Sequence, residues 1–379
     1  MSEWKEYKFS DFVNINPSIK LPKDNPISFV EMKNLDSSLR YCESEQTKIL
    51  SGGSRFMNGD TLFARITPCL ENGKICQVRN LQDGIGFGST EFHVFRGVEG
   101  ISDTNFVYYL ARYEEVRSHA ENNMEGSSGR QRVPKEAFDN LLISLPPLSE
   151  QKRIASILSS LDDKIDLLHR ENKTLEAMAE TLFRQWFIEE AKEDWKEGKL
   201  GDEFEFIMGQ SPSGESFNEE GIGIPMYQGN ADFGFRFPTK RIFTTQPTKF
   251  AEINDTLISV RAPVGAQNMA IERCCIGRGV AAFRYKNNSL FYSYTYYKLK
   301  SLLNEIKQYN DNGTVFGSIS KSDFENLDIV IPDKDTILNF QKQVKPIDDK
   351  IINNNNEIQT LIQTRDGLLS RLMSGEVKI

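Results

Sequence analysis

Apolar residues recur with alternating spacings of four and three in two separate segments of the chain. The first series consists of Ile154, Leu158, Leu161, Ile165, Leu168, Leu175, Ala179, Leu182 and Trp186, with Asn172 in the same register. The second consists of Phe340, Val344, Ile347, Ile351, Ile358, Leu361, Leu368 and Leu372, with Asn354 and Arg365 in register. This heptad pattern is typical of helices that pack along one stripe against another helix. It predicts two long helices.

The positions of the two asparagines indicate the relative direction of these helices. If Ile154 lies opposite Leu372 in an antiparallel pair, Asn172 lies opposite Asn354, and each amide gains a polar neighbour. A parallel pairing at the repeat displacement would instead place Asn172 against Ile358. We therefore expect an antiparallel coiled coil. The first series spans roughly 50 Å, which is the length of about fifteen base pairs of duplex DNA.

Two residues interrupt the second series. Arg365 faces Leu161 in the antiparallel alignment, and Pro346 lacks the amide proton that a helix interior uses. Pro346 therefore predicts either a kink or the start of the helix. The alternative for any single series is packing on its own domain, but two series with matching asparagines favour the coiled coil.

The chain is an internal duplication. Four segments recur in the same order, with 4–5 matching 195–196, 59–62 matching 254–257, 135–141 matching 321–327 and 162–165 matching 348–351. Runs such as 61–66 and 256–261 predict strands, and Tyr- and Leu-rich patches at 105–117 and 291–306 predict helices. The predicted fold is α+β, with two similar recognition domains at 1–147 and 192–333 and coiled-coil helices at 148–191 and 334–379.

Composition restricts the class of protein. A chain of 379 residues with 39% hydrophobic residues is long enough for two or more domains. The five cysteines lack Cys-x-x-Cys spacing and the start is acidic, unlike a signal peptide, so we expect a cytoplasmic protein. No segment is apolar enough for a membrane span. The net charge of −8 argues against a generally basic surface, but residues 150–194 alone carry eleven acids and seven bases, a net charge of −4.

Known catalytic motifs are not assembled in the sequence, and we expect no enzyme activity. Pro332-Asp333 followed by Asp348-Asp349-Lys350 matches a short nuclease pattern, but Asp162-Asp163-Lys164 repeats its second element, so we interpret both as solvated helix surface. The glycines within residues 84–88 predict a turn between strands rather than a nucleotide loop. The histidines are too scattered for a metal site or a catalytic triad, at His93, His119 and His169.

Side chains suited to DNA contact cluster in two loops at equivalent points of the duplication. Arg suits guanine, Asn and Gln suit adenine, and Lys, Ser and Thr suit phosphates. The loop at 126–132 carries Ser127, Ser128, Arg130, Gln131 and Arg132, and its counterpart at 312–318 carries Thr314 and Ser318. Further candidates are Arg65, Lys74, Gln210, Gln228, Asn230, Arg261 and Arg278. The alternative for each residue alone is a solvated loop or turn position. Equivalent loops with different sequences, however, suit two different half-sites.

The motifs of the whole chain resemble those of the specificity subunits of Type I restriction-modification systems. The family's central conserved region is similar to Leu145-Pro146-Pro147-Leu148-Ser149-Glu150-Gln151 and the following Leu161-Asp162-Asp163-Lys164-Ile165. Residues 368–377 resemble its C-terminal region, and the openings at Trp4 and Trp195 resemble the starts of its two target-recognition domains. The second conserved region departs from the pattern, with Ile331-Pro332-Asp333 and Phe340-Gln341-Lys342 in place of Pro-Pro-Leu and Glu-Gln.

This resemblance implies a non-catalytic subunit that binds a bipartite, asymmetric site in double-stranded DNA. It implies that the helices fix the gap between half-sites and dock two methyltransferase subunits, and that motor-nuclease (restriction) subunits join for cleavage. S-adenosylmethionine, ATP and Mg are then expected on the partner subunits, with no cofactor in this chain. Two alternatives stay open. One is a coiled-coil scaffold with two ligand-binding β modules and no DNA role, which the acidic charge favours; the other is an enzyme, which the missing motifs disfavour.

Overall fold

The computed structural model describes residues 4–308 and 317–379, and the chain divides into two compact units. Unit 1 comprises Met1–Glu171 and Asn353–Ile379, and unit 2 comprises Asn172–Ile352. Each unit contains one copy of the duplicated α+β module together with part of each long helix. We refer to residues 4–147 as module 1 and to residues 192–333 as module 2.

Module 1 is built from short strands and three helices. Its strands are β1 Lys5–Lys8, β2 Val13–Ile15, β3 Ile27–Val30, β4 Tyr41–Cys42, β5 Gln46–Lys48, β6 Ser54–Met57, β7 Thr61–Ala64, β8 Ile75–Val78, β9 Ile85–Gly88, β10 Phe92–Gly97 and β11 Leu142–Leu145. Its helices are α1 Phe9–Phe12, α2 Thr104–Arg112 and α3 Glu114–Asn122, and α4 Leu148–Arg184 follows the module. A π-helical turn at Gln185–Glu189 ends α4.

Module 2 repeats this order of elements. Its strands are β12 Lys196–Lys199, β13 Phe204–Met208, β14 Phe217–Asn218, β15 Ile224–Tyr227, β16 Ile242–Thr244, β17 Phe250–Ala251, β18 Thr256–Ser259, β19 Gln267–Met269, β20 Cys274–Ile276, β21 Val280–Tyr285 and β22 Asp328–Ile331. Its helices are α5 Leu200–Glu203, α6 Tyr292–Ser301, α7 Leu303–Gln308 and α8 Lys321–Asn326, and α9 Lys334–Met373 follows.

The sheets of the two modules have the same strand order, except for one additional edge strand in each module, β4 in module 1 and β14 in module 2. In module 1 the described strands form a β1-β11 ribbon, a sheet in the order β2-β10-β7-β8-β4 and a sheet in the order β5-β3-β9-β6. In module 2 they form a β12-β22 ribbon, a sheet in the order β13-β21-β18-β19 and a sheet in the order β14-β16-β15-β20-β17. A parallel pair lies inside the third sheet of each module, β3 with β9 and β15 with β20. The predicted duplication is therefore confirmed at the level of strand order.

A large hydrophobic core in each module lies between its Tyr-rich helix and the sheet that contains β7 and β10 in module 1 or β18 and β21 in module 2. In module 1 the rings of Phe9, Phe63, Phe95 and Phe138 pack on one another, with centroid distances of 5.0–5.9 Å. These rings are fully buried, and each removes a large apolar area from water. This buried cluster supports β7 and β10, and the loop at 126–132 is attached at the end of β7.

Most of one predicted turn is a strand. Residues 85–88 form β9, which lies between β3 and β6, while Gly84 belongs to the turn before the strand and has a positive φ of 72°. A Cβ at Gly88 would lie 2.3 Å from Val30 O, and one at Gly86 would lie 2.9 Å from Ser28 O. Glycine is therefore required by the close approach of the neighbouring backbone rather than by a turn.

The long helices pair in antiparallel directions within unit 1. Arg365 Nη1 donates to Asp162 Oδ1 at 2.8 Å, and Asn354 Nδ2 donates to Glu171 Oε2 at 3.0 Å. Between these contacts lies the Lys164–Glu357 ion pair, at 3.3 Å. Residue numbers rise along α4 as they fall along α9, so the predicted direction is confirmed. Arg365, expected as an unmatched polar intrusion, has its own buried carboxylate.

The same direction holds within unit 2. Trp186 packs against Phe340 with ring centroids 6.2 Å apart, while Leu175 packs in the hydrophobic cluster that contains Ile351. Every residue of the two heptad series is buried or half-buried. The Asn172–Asn354 pair joins residues of different units and stays a prediction.

Pro346 does not mark the start of a helix. α9 begins at Lys334 and continues through Pro346 to Met373, so that alternative was wrong. A proline inside a helix costs about 3 kcal/mol. Phe340 and Val344, on the N-terminal side of Pro346, are buried in the core of unit 2, and their burial offsets that cost.

All five cysteines are free thiols, four of them buried and Cys69 half-buried. Within residues 4–308 and 317–379, no helix combines the length and the apolar character needed to cross a bilayer.

Candidate nucleic-acid interface

Two equivalent loops are attached to the ends of two equivalent strands. In module 1 the returning segment pairs with the end of β7, since Thr67 N donates to Gln131 O at 3.0 Å and Val133 N donates to Arg65 O at 2.8 Å. In module 2 the corresponding bonds at the end of β18 run from Ala262 N to Gly317 O at 3.1 Å and from Ile319 N to Val260 O at 3.2 Å. Antiparallel bridges occupy the same place in both, Ile66 with Arg132 and Arg261 with Ser318. The two loops are therefore equivalent in their backbone attachment.

The tip of the module 1 loop presents polar side chains to solvent. Ser127, Ser128 and Arg130 are exposed, and Arg130 N donates to Ser127 O at 3.0 Å to close the turn. Gln131 is half-buried, and its backbone N–H donates to Thr67 Oγ1 at 3.1 Å. The Arg130 guanidinium has no hydrogen-bond partner within the described ranges. The tip thus offers two hydroxyls and one unpaired cation to a ligand.

Arg132, the last candidate of this loop, is held in an ion pair. Its Nε lies 2.9 Å from Glu91 Oε2 and its Nη2 lies 2.7 Å from Glu91 Oε1, a two-pronged geometry that raises the pKa of Arg132. The pair fastens the loop to the segment before β10. Arg132 is therefore a support of the loop in this structure rather than a free contact.

His93 supports the same loop from beneath, a role that the sequence did not indicate. The ring is buried, with Asn16 Nδ2 3.3 Å from Nδ1 and Val133 O 2.9 Å from Nε2. Burial, assisted by the nearby charge of Arg65, lowers the pKa of His93 to about 4, so the ring is neutral. The Asn16 amide then donates to Nδ1, and Nε2–H donates to Val133 O.

Arg65 and Lys74 lie near the base of the loop rather than at its tip. Arg65 is half-buried and its buried Nε has no hydrogen-bond partner, while Arg65 N donates to Glu91 O at 3.0 Å. Lys74 Nζ donates to Met32 O at 2.9 Å. The Lys74 ammonium therefore holds the segment after β3 in place.

In module 2, candidates that are distant in sequence converge on the turn between β20 and β21. Gln210 N donates to Ile276 O at 3.0 Å, and Arg278 N donates to Ser211 Oγ at 3.3 Å. On the other side of the turn, Gly277 N donates to Tyr227 O at 2.8 Å. The exposed side chains that surround the turn are Gln210, Gln228, Asn230 and Arg278.

An open groove of about 480 Å³ lies between this turn and the module 2 loop. Its polar wall is formed by Arg261, Arg278 and Ser318, and its apolar floor by Met208, Val260 and Ile319. Thr314, the other candidate of this loop, lies outside the described residues. The structure thus brings together in one groove two arginines that the sequence separates by seventeen positions.

A family model for the type I restriction modification DNA specificity domain matches residues 1–177 and 192–364. The chain belongs to this family. The match covers both modules and most of both long helices. The chain is accordingly a specificity subunit, the DNA-recognition and non-catalytic component of such a system.

Individual relatives agree with this assignment. This specificity subunit is 30% identical over 341 residues to the protein named as the type I restriction enzyme MjaX specificity subunit of Methanocaldococcus jannaschii, covering 86% of this chain and 80% of the relative. It is 24% identical to the type I restriction enzyme HindI specificity subunit of Haemophilus influenzae, with both chains covered completely. The crystal structure of a type I S subunit from M. genitalium has the same fold, with a TM-score of 0.55 at 18% identity over 97% of this chain and 96% of that one.

The specificity subunit anchors module 1 to α4 through a buried polar cluster. Asp162, 2% exposed, accepts from Arg365 at 2.8 Å and from Tyr109 Oη at 2.6 Å. Arg40, also buried, donates to Tyr109 Oη at 3.3 Å. Our interpretation of Asp162 as solvated helix surface was therefore wrong, because Asp162 lies where α4 meets both α9 and the module.

An equivalent cluster anchors module 2 to α9. Asp348, 2% exposed, accepts from Arg236 Nη2 at 2.8 Å, and Ser293 Oγ donates to its other oxygen at 2.5 Å. Arg236 is itself buried and donates to Tyr297 Oη at 3.2 Å. The surface interpretation was wrong for Asp348 as well. The signal that could have revealed both clusters is an aspartate kept beside the heptad series in both copies.

The start of each long helix carries further matching contacts. Asp333 caps α9 by accepting from Thr336 N at 2.9 Å and from Trp195 Nε1 at 3.0 Å. Trp4 Nε1 likewise donates to Glu150 Oε1 at 3.3 Å, at the start of α4. The Pro332-Asp333 element of the nuclease pattern is therefore a helix cap.

The second conserved region keeps one function despite its departure in sequence. Gln151 Oε1 accepts from Asp103 N at 2.9 Å, just before α2. Gln341 Oε1 accepts from Ser293 N at 3.1 Å, in the first turn of α6. A glutamine near the start of each long helix thus satisfies the free amides of the Tyr-rich helix of its module.

Proposed function

We propose that this specificity subunit reads a bipartite, asymmetric duplex DNA site, one half with each module. Residues 1–147 and 192–333 act as the two target-recognition domains, and the helical segments 148–191 and 334–379 set the gap between half-sites. The observation that carries the proposal is the pair of loops at the ends of β7 and β18, which share their backbone attachment and differ in side chains. A common scaffold with different side chains suits the recognition of two different short sequences.

The proposed contacts of module 1 are made by the loop tip. Ser127, Ser128 and Gln131 supply donors and acceptors for phosphates or base edges, and Arg130 supplies the unpaired cation. Arg132 and Arg65 contribute by holding the loop, through the Glu91 ion pair and the bond from Val133 N to Arg65 O. Lys74 holds the segment after β3, and Arg65 and Lys74 add positive potential.

The proposed contacts of module 2 surround its groove. Gln210, Gln228 and Asn230 have the amides that suit adenine, and Arg261 and Arg278 have the guanidinium groups that suit guanine. Ser318 lines the same groove as the two arginines. Thr314 is included on sequence grounds alone.

The chemistry of the complex is assigned to partner subunits. We propose that two methyltransferase subunits dock on the helical segments and bind S-adenosylmethionine, and that restriction subunits with ATP and Mg join for cleavage in the cytoplasm. This chain supplies sequence recognition and positioning. The scaffold alternative without a DNA role is disfavoured, because the family model that matches both modules is one of DNA specificity.

The test is co-expression with the methyltransferase subunits, followed by mapping of methylated bases in the host DNA. We expect one bipartite motif that depends on this chain. Exchanging residues 127–132 should change one half of the motif, and the matched control Lys23→Ala, on an exposed loop of the same module, should leave it unchanged. Absence of any motif that depends on the chain would overturn the proposal.

A further inference from the structure

The two modules carry different side chains at equivalent positions of the recognition surface. The cross-strand pair of Thr61 with Phe95, on β7 and β10, is equivalent to the pair of Thr256 with Phe283, on β18 and β21. The isolated bridge of Ile66 with Arg132 is likewise equivalent to that of Arg261 with Ser318. By these registers Thr90 corresponds to Arg278, and Glu91 corresponds to Gly279. The ion pair of Glu91 with Arg132 in module 1 is thus replaced by Gly279 and Ser318 in module 2. Arg261 and Arg278 stand where module 1 has Ile66 and Thr90.

The space between these positions is filled in module 1 and open in module 2. Glu91 and Arg132 occupy it in module 1 and neutralise each other. Gly279 and Ser318 are too small to do so in module 2. Gly279 has no room for a larger side chain, because a Cβ there would lie 2.0 Å from Gln228 O. A carboxylate equivalent to Glu91 therefore cannot occur at position 279 without a shift of the backbone.

The two arginines of the groove have no compensating charge in the described part of the chain. Arg261 and Arg278 are exposed, and neither guanidinium has a hydrogen bond or an ion pair within residues 4–308 and 317–379. Two cations that line one groove repel each other and leave their donors unmatched. This arrangement suits a ligand that brings hydrogen-bond acceptors to both groups.

The form of the groove favours base edges over phosphates. Both arginines project from fixed backbone: the Arg261 backbone pairs with that of Ser318, and the turn that carries Arg278 is packed against Gln228. Directional hydrogen bonds to a base edge require a side chain that starts from a fixed backbone, whereas a contact to a phosphate tolerates a mobile cation. The apolar floor, formed by Met208, Val260 and Ile319, offers no donors to a phosphate.

We propose that Arg261 and Arg278 are specificity-determining residues that read guanine, each by a pair of hydrogen bonds to O6 and N7. The half-site of module 2 then contains two G·C pairs that are read in the groove, one by each arginine, and the equivalent positions of module 1 make no such contacts. This inference rests on the proposed function, because it names the bases that one of the two modules reads.

The test uses the co-expressed complex and compares methylation motifs among variants of the two arginines. Arg261→Lys and Arg278→Lys keep the charge and lose the planar two-donor geometry. We expect each to relax a G·C position in one half of the motif by roughly 5- to 150-fold in discrimination, with the other half unchanged. Ser318→Glu, which places a carboxylate beside Arg261, should relax the same position as Arg261→Lys. Arg273→Lys is the matched control, because Arg273 is exposed and paired to Glu252 at 3.1 Å at the far end of β20.

The outcomes separate this inference from the proposed function. If wild-type protein directs a motif but the lysine variants leave every position intact, the guanine assignment is wrong and the two arginines are phosphate contacts. Uniform weakening in Arg261→Ala and Arg278→Ala, with a salt slope reduced by about one, would indicate the same. If wild-type protein directs no motif, the proposed function fails and the guanine assignment fails with it.

Discussion

Module 1 and module 2 place different chemistry on the same backbone. At the loop attachment, module 1 closes the surface with the Glu91–Arg132 pair, whereas module 2 leaves a groove between Arg261 and Arg278. Beneath the surface the modules agree, since each joins a long helix through a buried aspartate, an arginine and a tyrosine. Exposed residues at the loop attachment can therefore differ without disturbing the buried contacts that hold each module.

The largest expected effect is a loss of stability when the buried aspartates that both modules share, Asp162 and Asp348, are replaced. Asp348→Ala leaves the buried Arg236 without its carboxylate, and Asp162→Ala leaves the buried Arg365 with only the half-exposed Asp366. Removing one partner of a buried pair costs about 3–5 kcal/mol. We expect each variant to lower the free energy of unfolding of its own unit by that amount, measured by urea denaturation with unit-resolved hydrogen exchange. Asp349→Ala is the matched control, because Asp349 is half exposed and pairs with Lys345 near the surface. Equal losses in Asp348→Ala and Asp349→Ala would refute the anchor.

The second prediction is that pH changes the stability of the two units in opposite directions. Burial lowers the pKa of His93 in unit 1 to about 4, so its contribution is complete above pH 6.5 and is lost as the pH falls through 4. Burial raises the pKa of Glu203 in unit 2 to about 7, partly offset by Lys298 and Tyr294, so its contribution is complete below pH 4.5 and is lost as the pH rises to about 7.

Each of these contributions is on the order of 3 kcal/mol at most. Hydrogen exchange measured between pH 4.5 and 7 should show the protection of unit 1 rising and that of unit 2 falling. Glu203→Gln should remove the slope of unit 2 alone. Parallel slopes in the two units, unaffected by Glu203→Gln, would contradict the prediction.

A smaller effect is expected from adding a methyl group at Gly279, next to Arg278 in the chain. Gly279→Ala forces a methyl group against Gln228 O, and the backbone must shift, at a cost of about 1–3 kcal/mol. Thermal unfolding should register this loss. Gly214→Ala serves as the control, since no atom lies within 4 Å of a Cβ there. A neutral result for Gly279→Ala would mean that the backbone of Gln228 does not exclude a side chain at this position.

The smallest effect is expected at the surface of module 1. Glu91→Gln releases Arg132 from its ion pair and makes this site more like the groove of module 2. We expect almost no change in stability, because the pair is solvent-exposed and water screens it. The slope of log affinity for DNA against log salt should steepen by about one, in a titration with the assembled complex. An unchanged slope would show that Arg132 lies outside the DNA contact.

Residues whose surroundings are local were predicted well, and residues with distant partners were not. The heptad series at 154–186 and 340–372 fixed the burial and the direction of the helices, because a helix stripe is set by spacing alone. Residues 85–88 of β9 were expected to form a turn. Gly86 and Gly88 are instead required by the backbone of β3 and the ring of Phe56, which lie far from them in the sequence. The prediction that the helix could start at Pro346 was wrong for a similar reason. The burial of Phe340 and Val344 in the core of unit 2 offsets the free energy that a proline costs inside a helix.

The sequence by itself determined the duplication, the α+β modules, the two long antiparallel helices and the equivalence of the two loops. These follow from periodicity and from repeated order, which need no knowledge of contacts. Only the tertiary structure decided which candidates are free to meet a ligand: Arg132 is paired with Glu91, while Arg261 and Arg278 share a groove. It likewise decided that Asp162 and Asp348 are anchors. The physical reason is that the role of a charged side chain depends on the neighbours that folding brings to it, and those neighbours lie far away in sequence.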